Sequence, residues 1–225
     1  MEGTVGLDGL SPGQRLPRGR HGIPKKEVVA HQRERMLRAA TGELREQGYA
    51  GLSVAQITAR ARVSRVTFYK NFDDKLDCVL AAHRAAIANL ERRVRQAYGE
   101  QDEWAHGMDA SIEALLEFAA TSPDQMHLIL FVNNTASEPK IAHFGLAVRE
   151  RLIASIDAAR GEIGSKPTEL TEQAMIGAAI AVMGAILQTG ESERLPEFKA
   201  DLVQLILAPY VGEREANRIA MGSSP

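Results

Sequence analysis

The chain has 225 residues, enough for one or two domains with a sizeable core, and a hydrophobic content of 44% that excludes wholesale disorder. Its formal net charge of −2 hides an asymmetry: residues 1–100 hold 18 Lys/Arg against 11 Asp/Glu (+7), and residues 101–225 hold 9 against 18 (−9), the pattern of a nucleic-acid-binding half joined to a non-binding half. A single cysteine, Cys78, excludes an intrachain disulfide and fits a reducing compartment.

Residues 1–24 are rich in Gly, Pro and Arg and carry no periodic apolar pattern, so they read as a flexible basic arm. The first 20 residues lack the apolar run of a secretory signal, and a cytoplasmic, bacterial protein is expected. Within the arm stands Pro17-Arg18-Gly19-Arg20. It resembles the core of an AT-hook, in which Gly lies flat in a narrow minor groove and the arginines, here Arg18 and Arg20, run along it. A basic tail with non-specific attraction to DNA is the plainer reading.

A first helix is expected from about Lys25 or Glu27, with Val28, Val29, Met36, Leu37, Ala40 and Leu44 as candidate buried positions and Gly48 as the C-cap. Ser53-x-x-Gln56 is a capping box that opens a second helix, whose apolar stripe is Val54, Ile57 and Ala61. The turn passes through Arg62 and Val63, with Val63 as the apolar plug. Ser64 caps a third, short helix carrying Arg65, Thr67, Tyr69 and Lys70. A capped helix, buried behind and polar in front, suits entry into a major groove. Residues 25–75 are thus expected to form a three-helix DNA-binding domain.

Leu52-Ser53-Val54, Ile57, Val63-Ser64, Thr67-Phe68-Tyr69, Phe72 and Lys75 together resemble the N-terminal signature of the TetR family of transcriptional regulators. Gln32 to Gly48, with Ala39-Ala40 and Leu44, is similar to that family's first helix. The chain departs from the family at Arg62, where Gly is usual in the turn, and at Val66, where a small residue is usual. The resemblance implies an all-α protein: a helix-turn-helix domain, then a helical domain for effector binding and dimerisation. It further implies that Ser53, Ser64, Tyr69 and Lys75 meet phosphates, that Arg65 and Thr67 meet base edges, and that Lys70 belongs to the same surface.

Asp73 and Asp74 start a long helix, about Lys75 to Tyr98, which opens the expected second domain, residues 76–211. Asp73-Asp74-x-x-Asp77 also has the form of a Mg²⁺-diphosphate motif of isoprenoid enzymes, but the pattern is short and no second such motif follows. The six histidines show no i, i+4 pair, and no metal or cofactor is expected. Further helices are expected at Asp102–Ala120, Met126–Val132, Ile141–Arg160, Thr168–Leu187 and Pro196–Val211, with a loop at Gly161–Pro167 and a tail at 212–225.

Trp104, Met108, Phe118, Met126, Leu130, Phe131 and Phe144, with His127 or Asn133 as polar groups, are the candidate lining of an apolar effector pocket; each is equally a candidate for plain core. Ala174 to Leu187 is apolar all round, which suggests a helix buried on every side. Its 14 residues are short for a bilayer span. The family resemblance assigns the last two helices to a homodimer interface on a palindromic operator. A DNA-binding architectural protein without an effector is the alternative that stays open.

Overall fold

The computed structural model describes residues 24–134 and 167–222; the side chains of Lys25 and of 131–134 are outside that description, as is the expected helix at 141–160. Every described element is helical. The chain divides into two compact units, residues 1–84 and 85–225.

In the first unit, α1 spans Lys25–Gly51, α2 Val54–Ala61 and α3 Arg65–Tyr69, and α4, Lys75–Gly99, contributes its first turns. Gly48 stands at φ 64°, ψ 174°, so the regular part of α1 breaks at the residue expected to end it. A further short turn carries α1 to Gly51. Its buried apolar residues are Met36, Ala40 and Leu44 of α1, Leu52 between α1 and α2, Ile57 and Ala61 of α2, Phe68 of α3, then Phe72, Cys78 and Val79. Each large apolar side chain so buried contributes ~1.5–3 kcal/mol. Of the positions expected in that core, Val29 is exposed, because the start of α1 runs past the end of the cluster.

α4 starts with interlocked carboxylates. Asp74 Oδ1 accepts from the Asp77 amide at 2.8 Å, and Asp77 Oδ2 accepts from the Asp73 amide at 3.3 Å. Two acids of the D-D-x-x-D sequence, Asp74 and Asp77, are therefore engaged in local capping bonds.

The second unit holds the rest of α4, then α5 (Trp104–Thr121), α6 (Pro123–Asn134) and α7 (Glu169–Thr189). A 3₁₀ turn at Ser192–Phe198 follows, then α8 (Lys199–Val211) and α9 (Glu213–Ala220). Its core gathers Met108, Ile112, Leu116 and Phe118 of α5, Met126, Ile129 and Leu130 of α6, Met183 and Leu187 of α7, and Leu202, Val203 and Leu207 of α8. α4 and α5 approach closely at Gly107, where a Cβ would stand 2.7 Å from the Tyr98 ring. α9 replaces part of the expected tail: Gly212, at φ 86°, turns the chain, and Ala216 and Ile219 are buried. Its two buried residues stand three apart, a helical spacing that the expected tail at 212–225 overlooked.

Within the single chain α7 is buried on one face only. Glu172, Met175, Ala179, Met183 and Leu187 are buried, while Leu170, Ala174, Ala178, Ala181, Val182 and Ala185 are exposed. The single chain covers one face of this helix and leaves an apolar stripe at i, i+4 spacing on the other. At 21 residues α7 is long and apolar enough to cross a membrane by length and composition alone.

Candidate nucleic-acid interface

α2 is fixed at both ends by local bonds. Ser53 Oγ accepts from the Gln56 amide at 3.3 Å and pairs with Gln56 Oε1 at 2.5 Å. At the other end the Arg62 amide donates to Ala59 O at 3.1 Å and the Val63 amide to Thr58 O at 3.0 Å. This pair of bonds is a Schellman motif. Its left-handed residue is Arg62, at φ 53°, ψ 46°, the one non-glycine with positive φ among the described residues. The turn therefore keeps the geometry a glycine would give, at a cost of about 1 kcal/mol of backbone strain. Val63 is half-buried behind it.

α3 has five residues. Ser64 Oγ accepts from the Thr67 amide at 3.0 Å and lies 2.9 Å from Thr67 Oγ1, so both hydroxyls are used in capping. Phe68 is fully buried and meets Tyr69 and Phe72, each at 5.4 Å between ring centroids. That anchor turns Arg65, Val66, Tyr69 and Lys70 to solvent, with Val66 66% and Tyr69 58% exposed. A large apolar side chain left this open beside an arginine marks a candidate recognition surface.

The structure gives Lys75 a task that the sequence did not show. Its ammonium donates to Tyr49 O at 3.1 Å and Leu52 O at 2.9 Å, and stands 4.5 Å from the Tyr49 ring centroid. It thereby satisfies carbonyls at the end of α1, with one hydrogen remaining. Arg33 and Arg35, which sequence reasoning passed over, also meet this region. Arg33 Nη1 donates to Asn71 O at 3.2 Å, and Arg35 Nη2 donates to Ala61 O and, at 3.3 Å, to Arg62 O. Their partners are 26 to 38 residues away in sequence, so no local pattern could have found them. Arg60 bridges α2 to α1 through Glu43 at 3.3 Å and Glu46 at 2.7 Å. The hydrogen bond it donates to Glu46 is the chief cause holding its guanidinium above the usual range. Arg18 and Arg20 lie outside the described residues.

In the second unit Met108, Phe118, Met126 and Leu130 are brought together, buried, in the core cluster. Trp104 packs against that cluster with its ring 5.2 Å from that of Tyr210. Its indole Nε1 is buried and has no hydrogen-bond partner among the described residues. His127 is half-buried; the side chain of Phe131 and all of Phe144 lie outside the described residues. Two surface grooves have other linings. One, of about 580 Å³, lies between α8 and α9 beside Asp201, Leu205 and Arg214; the other, of about 210 Å³, lies beside Arg93, Gln96 and Glu117. Among the described residues no group of three or more His, Cys, Asp or Glu side chains is placed to hold a metal ion.

Residues 36–82 match the family model of bacterial regulatory proteins, tetR family. The chain is 30% identical over 130 residues to the HTH-type transcriptional activator FasR of Mycolicibacterium smegmatis, a match over 58% of this chain and 59% of that relative's length. In fold it is similar to the fatty acid degradation regulator FadR of Bacillus halodurans, with a TM-score of 0.68 at 16% identity, over 78% of this chain and 94% of that one. It is also similar to FadR of Bacillus subtilis, solved in complex with stearoyl-CoA, with a TM-score of 0.64 at 14% identity, over 79% and 97%.

Proposed function

We propose that this chain, which belongs to the TetR family of bacterial transcriptional regulators, binds a palindromic operator as a homodimer and is released from it by an apolar effector. The observation that carries the reading is α3 itself. It is capped by Ser64 and anchored by Phe68, and it turns Arg65, Val66, Tyr69 and Lys70 outward. Arg65 is the base-reading residue, since a guanidinium can bond a guanine edge with two parallel hydrogens. Thr67, whose hydroxyl is held by Ser64, contributes its methyl group or a shared bond. Ser53, Ser64, Tyr69, Lys70 and the remaining hydrogen of Lys75 meet phosphates, which fix register. Arg18 and Arg20 extend the contact into the adjacent minor groove.

The dimer forms through α7 and α8, whose exposed apolar face supports this placement. The protein acts in the cytoplasm, where its DNA is. The effector site lies on the core around Trp104, Met108, Phe118, Met126, His127 and Leu130, with Phe131 and Phe144 completing it. A long-chain acyl thioester is the effector class we favour, because a regulator of the same fold was solved with stearoyl-CoA. Release by that ligand makes the protein a repressor. Activation is the second reading, favoured by the relation to the activator FasR.

The test is selection of duplexes by the full chain from a random-sequence pool, followed by footprinting. A protected two-fold site supports the reading. Uniform affinity across sequences would leave an architectural protein. Stearoyl-CoA added to the complex should dissociate it if the chain is a repressor of this kind.

A further inference from the structure

A helix of five residues cannot hold its own direction, because it closes almost none of its own i→i−4 bonds. What presents α3 is therefore whatever holds its two ends. Before it comes the left-handed Arg62, a strained residue. After it comes Asn71, whose side-chain amide already donates back to Thr67 O at 2.8 Å. Both ends are met from α1. Arg35 donates to Ala61 O and Arg62 O on one side of α3, and Arg33 donates to Asn71 O on the other. Arg33 also stands 4.4 Å over the Phe72 ring, which packs tilted against the Phe68 anchor. Positions i and i+2 of a helix point about 200° apart, so the two arginines leave α1 in different directions and straddle what it crosses.

Arg35 is 8% exposed. A buried guanidinium is a poor stabiliser, since an apolar side chain would fill the volume without the desolvation cost. What it supplies is direction: charge-assisted bonds, short and angular, to two successive carbonyls. We infer that Arg33 and Arg35 are positioning residues for DNA recognition: a two-ended clamp from α1 that fixes the angle at which α3 presents Arg65, Val66 and Tyr69. The inference rests on the reading of α3 as the recognition helix. Neither arginine need touch DNA.

The experiment uses the full chain, a duplex selected by the wild-type protein from a random pool, and a scrambled duplex of equal composition. Arg35→Met and Arg33→Met should each weaken binding to the selected duplex about tenfold, the fold-change of one lost hydrogen bond to a charged group. Binding to the scrambled duplex and the salt dependence should stay unchanged, and Arg35→Lys should recover part of the loss. An equal loss on both duplexes overturns the clamp, since a smaller folded fraction lowers all binding alike. A salt slope reduced by about one also overturns it, because that marks a direct phosphate contact. Amide hydrogen exchange separates this idea from the DNA reading. Arg35→Met should speed exchange at Phe68, Lys70, Asn71 and Phe72 ahead of the rest of residues 24–84; a uniform rise ends the proposal even where a DNA site is found. If the wild type selects no duplex, the recognition reading itself fails and takes this inference with it, whatever the exchange shows.

Discussion

The Lys75 ammonium donates to the Leu52 carbonyl at 2.9 Å, across 23 residues of sequence. With its second bond, to Tyr49 O, it closes the end of α1 onto the start of α4. Lys75→Met should therefore destabilise the first unit by about 1–3 kcal/mol, the range for losing charged hydrogen bonds and leaving carbonyls unpaired. A thermal or urea melt with a probe in that unit measures it. The same variant divides the lysine's two roles. If the remaining hydrogen meets a phosphate, the salt slope of operator binding falls by about one. An unchanged slope leaves Lys75 wholly structural.

Val66 stands 66% exposed on the same surface as Arg65. An apolar side chain facing a major groove has one natural partner, the 5-methyl group of thymine. Val66→Ala should weaken binding to the selected duplex by ~1 kcal/mol, on the scale of burying one or two methyl groups. Replacing thymine by deoxyuridine at the contacted step should do the same. The two changes together should cost little more than either alone. Additive losses would place Val66 away from that methyl.

What the sequence made legible was local. Ser53 and Ser64 are caps because each bonds three residues on, and such spacing is visible in a string. Phe68 and Phe72 stood in the sequence only as signature positions of the family resemblance, and the structure buries both. Lys75, Arg33 and Arg35 were opaque as clamps, since their acceptors are backbone carbonyls 23 to 38 residues away, and a carbonyl has no letter. α7 was only partly legible, for a different reason. A stretch apolar on every face has no period, so it cannot say which side the chain covers. The structure chooses Met175, Ala179 and Met183 and leaves Ala174, Ala178 and Ala181 outside. In the second unit Met108, Phe118, Met126 and Leu130 are core, with Trp104 packed against them, and their role toward a ligand depends on what binding does to them.

That question has a convenient reporter. Trp104 is the one tryptophan in the chain, and its buried Nε1 lacks a hydrogen-bond partner among the described residues. A buried unpaired donor costs ~1–3 kcal/mol, which an acceptor oxygen on a ligand would recover. Stearoyl-CoA should therefore change the intrinsic tryptophan fluorescence saturably, and Trp104→Phe should weaken binding measured by calorimetry. Fluorescence that stays fixed while stearoyl-CoA binds would put the effector elsewhere, the groove beside Arg214 being the first alternative.

Cys78 gives a pH-dependent prediction. It is fully buried, and desolvation pushes its thiol from 9.0 up to about 12. The native thiol is thus neutral and closed to reagents. It should resist alkylation at pH 8 and react only on unfolding. The sign for stability follows from linkage: the unfolded chain loses this proton first. The contribution is complete below pH 9 and is lost as pH rises toward about 12. The stability difference between the wild type and Cys78→Ala should shrink over that window, in chemical melts at stepped pH. A difference flat with pH would mean that the thiol ionises freely in the native state.

The apolar face of α7 yields the last prediction. Leu170 is 76% and Val182 39% exposed, and Ala174, Ala178, Ala181 and Ala185 lie between and beyond them on one side. On α8, Leu205 is 37% exposed. Small residues at i, i+4 spacing let a second helix backbone come close, and the gain is lost if one of them carries charge. Ala178→Glu and Ala181→Glu should therefore convert a dimer to monomers without unfolding either unit, because no buried residue is touched. Sedimentation should show the halved mass, and circular dichroism should show the helices intact. A monomer carries one recognition helix, so binding to a two-fold operator should fall far more than binding to an isolated half-site. Gln101→Glu adds the same charge at an exposed position in the loop between α4 and α5, outside α7 and α8; it is the control and should leave the mass unchanged. If the Ala178 and Ala181 variants sediment like the wild type, the copies meet through another surface, and α7's open face needs another occupant.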